Sequence, residues 1–397
     1  MDGSDTVTDL PPAPWTKRAD LAQLAATLGP DAMRWVGGAV RDTLLDIPVA
    51  DVDCATLHRP EQVIDLCRDA GIRTVPTGID HGTVTAILET GPVEITTLRR
   101  DVSTDGRRAT VAFADDWRED AARRDFTINA LYAHPETREI TDFFGGLADL
   151  EARRVRFIGD ARQRIREDHL RILRYFRFQA RFGRETEDEA LAACADLAET
   201  LKGISRERVA MELLGILALP DPVPSIRLME NAGVLCVILP EARASEIAAL
   251  ARLIETEREH DAEPEAIRRL AALLPSVPSL AETVAARLRL SKQQRGRLAC
   301  AAARTSNDAQ LPRALAYHEG MGCARDRLLL TGASPASLDD WTPPHFPLKG
   351  GTIVARGIAA GPDVARIMRA VEARWIAEDF PGEARIEALL TEELAER

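Results

Sequence analysis

Val36-Gly37-Gly38-Ala39-Val40-Arg41-Asp42, followed by Asp51-Val52-Asp53, carries the pattern of a strand, a glycine turn, a helix start and a second strand. Arg34, Trp35 and Val36 read as a short strand. Gly37-Gly38 carries no side chains, so a phosphate can come close to backbone N–H groups there. Residues 39–45 form a good helical run whose N-terminus would present unbonded N–H groups to an anion, and Pro48 ends it. Residues 49–55 alternate like a strand, which puts Asp51 and Asp53 on one face. Two neighbouring carboxylates repel each other. A hard divalent cation removes that repulsion, and Mg²⁺ is the usual choice where phosphates share the coordination. Singly, Gly-Gly is a common turn and Asp-x-Asp a pair of solvated residues. Together, with Arg41 one helical turn in, they describe a nucleotide site. No Gly-x-x-x-x-Gly-Lys-Ser/Thr occurs, so this is not a P-loop.

Downstream, residues 83–88 and 93–98 read as strands joined by Glu89-Thr90-Gly91-Pro92, with Glu94 on the second. Ser103-Thr104-Asp105-Gly106-Arg107-Arg108 reads as an exposed, mobile loop. Two further stretches stand out. One is Arg123-Arg124-Asp125-Phe126-Thr127-Ile128-Asn129-Ala130-Leu131, where Asp125 could cap a helix beginning at Phe126. The other is Glu167-Asp168-His169-Leu170-Arg171-Ile172-Leu173-Arg174-Tyr175-Phe176-Arg177-Phe178. Asp168 and Arg171 read as i, i+3 neighbours on a helix, with Arg174 and Arg177 continuing the stripe. The flanking Leu170, Leu173, Tyr175, Phe176 and Phe178 should fix that helix in a core.

The head resembles the nucleotidyltransferase superfamily related to polymerase β, whose motif is Gly-Gly followed by Asp-x-Asp. Val36 to Asp42, and the two later stretches in the same order, are similar to class II CCA-adding enzymes and bacterial poly(A) polymerases. Those proteins extend an RNA 3′ end without a nucleic-acid template. The resemblance covers about residues 33–215. It implies an α+β fold: a polymerase β-like head with a small mixed sheet, followed by all-helical neck, body and tail. The implied divisions are residues 1–145, 146–215, 216–305 and 306–397. Asp51 and Asp53 would hold the metal, and Glu94 would be the third catalytic carboxylate. Gly37, Gly38, Arg41, Arg124, Asp125 and Asn129 would hold the nucleotide's phosphates and ribose. Asp168 and Arg171 would read the incoming base, supported by Arg174 and Arg177. The loop around Ser103 to Arg108 would help the base pocket pass from C to A.

Base reading by this pair has a physical basis. Cytosine and adenine each present an amino donor beside a ring-nitrogen acceptor, whereas uracil and guanine present a carbonyl beside an N–H. A carboxylate that only accepts, next to a guanidinium that only donates, suits the first two and opposes the others.

Composition narrows the partners. With 397 residues the chain is long enough for several modules, and 45% apolar residues is ordinary for a globular protein. No run approaches the ~18 apolar residues of a membrane span, and the first 15 residues lack a signal-peptide pattern, so a cytoplasmic protein is expected. The six cysteines are scattered and suggest neither a zinc site nor a disulfide framework. Net charge is −12, yet residues 151–184 carry a local net of +7, which suits a polyanion in one place. Only four residues are lysine, so a single arginine says little and a spaced set says more.

The reading is therefore a CCA-adding tRNA nucleotidyltransferase. It would use CTP, ATP and Mg²⁺, act on the tRNA acceptor end, and have no membrane partner. The rivals are a poly(A) polymerase, a CC-adding or A-adding specialist, and a non-catalytic RNA-binding protein that keeps the fold. Intact Asp51, Asp53, Asp125 and Arg171 argue against the last.

Overall fold

Met33, Trp35 and Val36 are apolar, and they form the middle of a mixed sheet. The structure, a computed structural model, describes residues 8–105 and 108–395, with only the backbone described at Asp80 and 101–111. The strands are β1 (Met33–Val36), β2 (Asp53–Thr56), β3 (Arg73–Gly78), β4 (Thr83–Leu88), β5 (Gly91–Thr97), β6 (Arg99–Asp105), β7 (Arg108–Phe113), β8 (Leu131–Ala133) and β9 (Ile140–Asp142). Seven of them form one sheet in the order β3-β4-β5-β2-β1-β8-β9, while β6 and β7 make a separate ribbon. Among the described residues β2 and β5 are the parallel pair of the main sheet. Register decides what meets. Val36 faces Asp53 across β1 and β2, and Asp53 faces Glu94 across β2 and β5. The Gly37 turn, Asp53 and Glu94 therefore share one row of the sheet.

Helices cover the connections: α1 (Ala19–Leu28), α2 (Gly38–Leu44), α3 (Pro60–Asp69), α4 (Trp117–Ala122), α5 (Gly146–Glu151), α6 (Ala161–Glu167) and α7 (Arg171–Phe182). α3 has Pro60 in its first turn and ends before Gly71 at φ +73°, as a proline start and a glycine stop dictate. α7 buries Leu173, Tyr175, Phe176 and Phe178, as its aromatic pattern predicts. Its rings meet those of the preceding segment, with Phe126–Phe157 centroids 4.8 Å apart and Phe126–Phe178 centroids 5.2 Å apart.

Several local expectations are corrected. The strand expected at residues 49–55 is only Asp53–Thr56, because its partner β1 turns away at Gly37. Asp51, Val52 and Asp53 still alternate exposed, buried, exposed, so the two carboxylates keep one face. The loop expected at Ser103 to Arg108 is largely strand, held by pairs Ser103–Thr110 and Asp105–Arg108; Gly106 and Arg107 lie outside the described residues. The helix expected from Phe126 is a single 3₁₀ turn, Thr127–Asn129, because β8 begins at Leu131.

That turn is seated by its neighbours. Asp142 accepts backbone N–H groups from Phe144, Gly145, Gly146 and Leu147 at 2.9–3.1 Å, fixing the entry to α5. A Cβ at Gly146 would lie 2.3 Å from the Thr127 carbonyl oxygen. Only glycine permits that approach. Thr127 Oγ1 in turn donates to Asp149 Oδ2 at 2.6 Å.

The chain forms two compact units, residues 1–205 with 228–238, and residues 206–227 with 239–397. The second is helical. Its interior holds buried Arg268 and Arg269, both bonded to Glu257, with Arg268 also bonded to Asp326. The chain closes on two helices, Pro362–Ala377 and Glu383–Ala395, that pack on each other. Ile386, Leu389 and Leu390 supply the latter's buried stripe. The expectation of no disulfide is also overturned: Cys300 and Cys323 are bonded, 23 residues apart in sequence. Among the described residues no helix is long and apolar enough to cross a membrane.

Candidate active site

The sheet row, the Thr127–Asn129 turn and α7 enclose a cleft of about 450 Å³. Gly37, Gly38, Arg41, Asp53, Arg124, Asp125, Asn129, Asp168, Arg171 and Arg174 line it, together with Arg99, Arg123 and Phe178. Asp51, Glu94 and Arg177 are not part of that lining. Six arginines against three aspartates leave the lining positive, as a nucleoside triphosphate requires.

Gly37 has φ +73° and ψ −125°, a backbone state that disfavours any side chain. A Cβ there would come 3.7 Å from Arg124 Nη1. Behind it Arg41 is almost wholly buried. Its Nε donates to Asp42 Oδ1 at 2.8 Å and its Nη1 to Asn129 Oδ1 at 2.5 Å. Its guanidinium also lies over the rings of Phe178 and Phe182. Arg41 is thus committed to holding Asn129 and anchoring α2.

Asp125 ties the turn to α7. Its Oδ1 accepts from Phe126 N at 2.8 Å and Asn129 Nδ2 at 2.9 Å, and its Oδ2 accepts from Arg174 Nε at 2.7 Å. Burial alone would raise its carboxyl; Arg174 and these donors hold it below the usual carboxylate range. Arg124 and Arg123 are fixed from the other side by Asp120, which the sequence reading missed. Asp120 is fully buried. It accepts from Arg123 Nε at 2.8 Å, Arg124 Nη2 at 3.1 Å and Tyr132 Oη at 2.7 Å. Burial opposes its charge, but Arg124, Arg123 and Tyr132 bring its carboxyl down to about 2. The available signal was its spacing, three and four residues before two arginines that follow directly on one short helix.

Asp168 and Arg171 do not share a helix. Asp168 ends α6 in an extended conformation, φ −148° and ψ 103°, and Arg171 opens α7. The break is local: Asp168 Oδ1 accepts from Leu170 N at 3.1 Å, which favours a turn over continued helix. Both side chains still line the cleft. Arg171 is aimed by Glu167 Oε2 at 2.7 Å and by the carbonyls of Arg164 and Arg123 at 2.8 and 2.9 Å. Arg177 lies over the Phe178 ring.

The carboxylate row has the chemistry of a hard-cation site. Asp53 keeps an exposed edge, but desolvation of its carboxyl at the cleft, and then Glu94 and Asp51 beside it, push that carboxyl up to about 6, against Arg124. Such mutual repulsion is what a divalent cation relieves, and two carboxylates suffice where phosphates and water complete the shell. Asp51, Asp53 and Glu94 do not close into one tight cluster. Among the described residues the group of three ligand atoms within 4.8 Å is Cys300, Glu319 and Cys323.

Comparison with known proteins agrees with the geometry. Residues 33–156 match the family described as the poly A polymerase head domain, and residues 185–245 that described as a probable RNA and SrmB-binding site of polymerase A. The chain is 36% identical over 364 residues to the mitochondrial CCA tRNA nucleotidyltransferase 1 of Mus musculus, covering 86% of this chain and 82% of that one. It is 40% identical over 225 residues to the CCA-adding enzyme of Streptococcus gordonii, covering 56% and 55%. It superposes on the Bacillus stearothermophilus CCA-adding enzyme in complex with CTP with a TM-score of 0.74 at 25% identity, over 96% of this chain and 99% of that one.

Proposed function

We propose that this chain, which belongs to the class II CCA-adding tRNA nucleotidyltransferases, adds C, C and A in turn to tRNA 3′ ends without a template, using CTP and ATP. The observation that carries the reading is the single cleft holding the Gly37-Gly38 turn, Asp53 and the Asp168/Arg171 pair together. The tRNA 3′-hydroxyl attacks the α-phosphate, its new bond forming as the bond to pyrophosphate breaks.

Gly37 and Gly38 admit the triphosphate to the backbone. Arg124 meets its negative charge, with Asp120 fixing the guanidinium so that it need not reorganise. Asp125 and Asn129 bind the ribose, and Arg41 orients Asn129 from behind. Asp168 accepts from the exocyclic amino group, while Arg171 donates to the ring nitrogen beside it. Arg174 holds Asp125 in register with that pair, and Arg177 supports the same helix. A divalent cation held by Asp51 and Asp53, Mg²⁺ in this reading, would stabilise charge on the phosphate oxygens and lower the proton affinity of the hydroxyl. Glu94 is the third carboxylate of that row. Residues 1–145 serve as head and 146–215 as neck, and 216–305 and 306–397 serve as the body and tail that hold the acceptor stem. The place of work in this reading is the cytoplasm.

The test supplies purified protein with tRNA transcripts ending before C, after CC and after CCA, with each nucleotide singly and together. Addition that stops at CCA is expected. Runs of A favour a poly(A) polymerase, a halt at CC or addition of A alone favours a specialist, and no addition favours an RNA-binding protein.

A further inference from the structure

Cys300 and Cys323 take no part in the chemistry above, yet the fold brings them together. Cys300 lies in the last turn of the helix Lys292–Ala302 and Cys323 in the first turn of the helix Met321–Leu330. Their Cα atoms are 6.1 Å apart, a normal disulfide separation. Both are half-buried, so a small thiol can reach the sulfurs, while Cys54, Cys67 and Cys194 are buried. Glu319 Oε2 stands 3.6 Å from Cys300 Sγ and can accept a hydrogen bond from the thiol when the disulfide is open.

One turn away along both helices, Arg297 donates to the fully buried Asp326 through Nε at 2.6 Å and Nη2 at 3.0 Å. This clamp joins the same two helices without the sulfurs. Opening the bond therefore leaves the thiols within reach of each other, which is the condition for closing again. We propose that Cys300 and Cys323 are a reversible dithiol–disulfide couple that sets the stability of this helical unit according to the redox state around it.

The oxidant is a low-molecular-weight disulfide of the glutathione class. The free N–H groups of its helix favour a thiolate at Cys323, whereas Cys300 faces a carboxylate. Cys323 attacks one sulfur of the oxidant, whose S–S bond breaks, and the departing thiol takes up the Cys323 proton. Cys300 then attacks Cys323 Sγ, the mixed disulfide breaks, and a second thiol leaves with the Cys300 proton. The protein loses two electrons and two protons, and one disulfide becomes two thiols.

The test uses the full chain in a Cys236→Ser background, which removes the exposed free cysteine. The protein is equilibrated in graded mixtures of reduced and oxidised glutathione, alkylated, and mapped by mass for the peptide linking Cys300 to Cys323. Thermal unfolding is followed in the same buffers. A linked peptide that appears and disappears reversibly is expected, with the oxidised protein unfolding several degrees higher. Cys300→Ser and Cys323→Ser should abolish that difference. Three results would overturn the proposal: a pair that never links in oxidised glutathione, a bond that persists in excess reduced glutathione, or an unfolding shift retained by either serine variant. Stoichiometric Zn²⁺ binding that blocks closure would overturn it too, making the group a metal site. Should the serine variants fail to fold, the parent protein decides: the peptide map must track its unfolding temperature across the glutathione series, and an unfolding temperature that does not follow the linkage would overturn the proposal.

Discussion

Asp120→Asn tests whether one buried carboxylate holds the phosphate-facing arginines in place. The substitution keeps the shape and removes the charge shared by Arg123, Arg124 and the Tyr132 hydroxyl. The folded carboxyl lies at about 2 against 3.8 for a free one. At about 1.4 kcal/mol per pH unit, that gap corresponds to a stabilisation on the order of 2–3 kcal/mol at neutral pH. The sign follows from the direction. A depressed carboxyl stabilises the fold above its free value, and this contribution fades as pH falls from about 4 towards about 2. The readout is hydrogen exchange of the β8 amides, whose Tyr132 is bonded to Asp120, in parent and variant from pH 7 downwards. A gap that is constant near neutrality and narrows below about pH 4 is expected. In the addition assay, KM for both CTP and ATP should rise by about tenfold, because Arg124 is no longer held, while affinity for tRNA stays put. A variant with parental exchange rates and parental KM would refute the argument and make Asp120 a bystander.

Asp51→Asn and Asp53→Asn should each abolish nucleotide addition in a folded protein. Metal-free Asp53→Asn should also be at least as stable as the parent, since it removes repulsion from Glu94 and Asp51; loss of folding instead would show a structural role. Asp168→Ala and Arg171→Ala should raise incorporation of UTP or GTP relative to CTP and ATP, measured by single-nucleotide addition. Equal slowing of all four would place base reading elsewhere. Gly146→Ala puts a Cβ 2.3 Å from the Thr127 oxygen. It should destabilise the head by about 1–3 kcal/mol and weaken nucleotide binding through Asn129, seen in urea unfolding and CTP titration; a neutral effect would mean that α5 shifts freely.

What the sequence made legible and what it hid divide along a physical line. The Gly37-Gly38 turn was readable because only glycine tolerates φ +73° beside a site. Asp53 and Glu94 were readable as types, but their meeting is a matter of register between strands some 40 residues apart, and no local pattern encodes it. The aromatic stripe of α7 was legible for the opposite reason: its periodicity is local and its burial follows directly. Asp168 and Arg171 show where local periodicity misleads. Their i, i+3 spacing fits a helix, yet a side-chain bond from Asp168 to Leu170 N ends one helix and lets Arg171 start another. Asp120 went unread and Arg41 was expected to hold the nucleotide, whereas tertiary packing turns Asp120 onto Tyr132 and Arg124, and Arg41 onto Asn129 and Phe182. The same logic explains the cysteines. A pair 23 residues apart on separate helices has no signature in spacing, because the approach of the helices is set by the Arg297–Asp326 contact one turn away. Charges that serve a site from behind are thus the features least visible in sequence, and their substitution should distinguish positioning from contact: a lost anchor weakens binding of every nucleotide alike, while a lost reader changes which nucleotide is chosen.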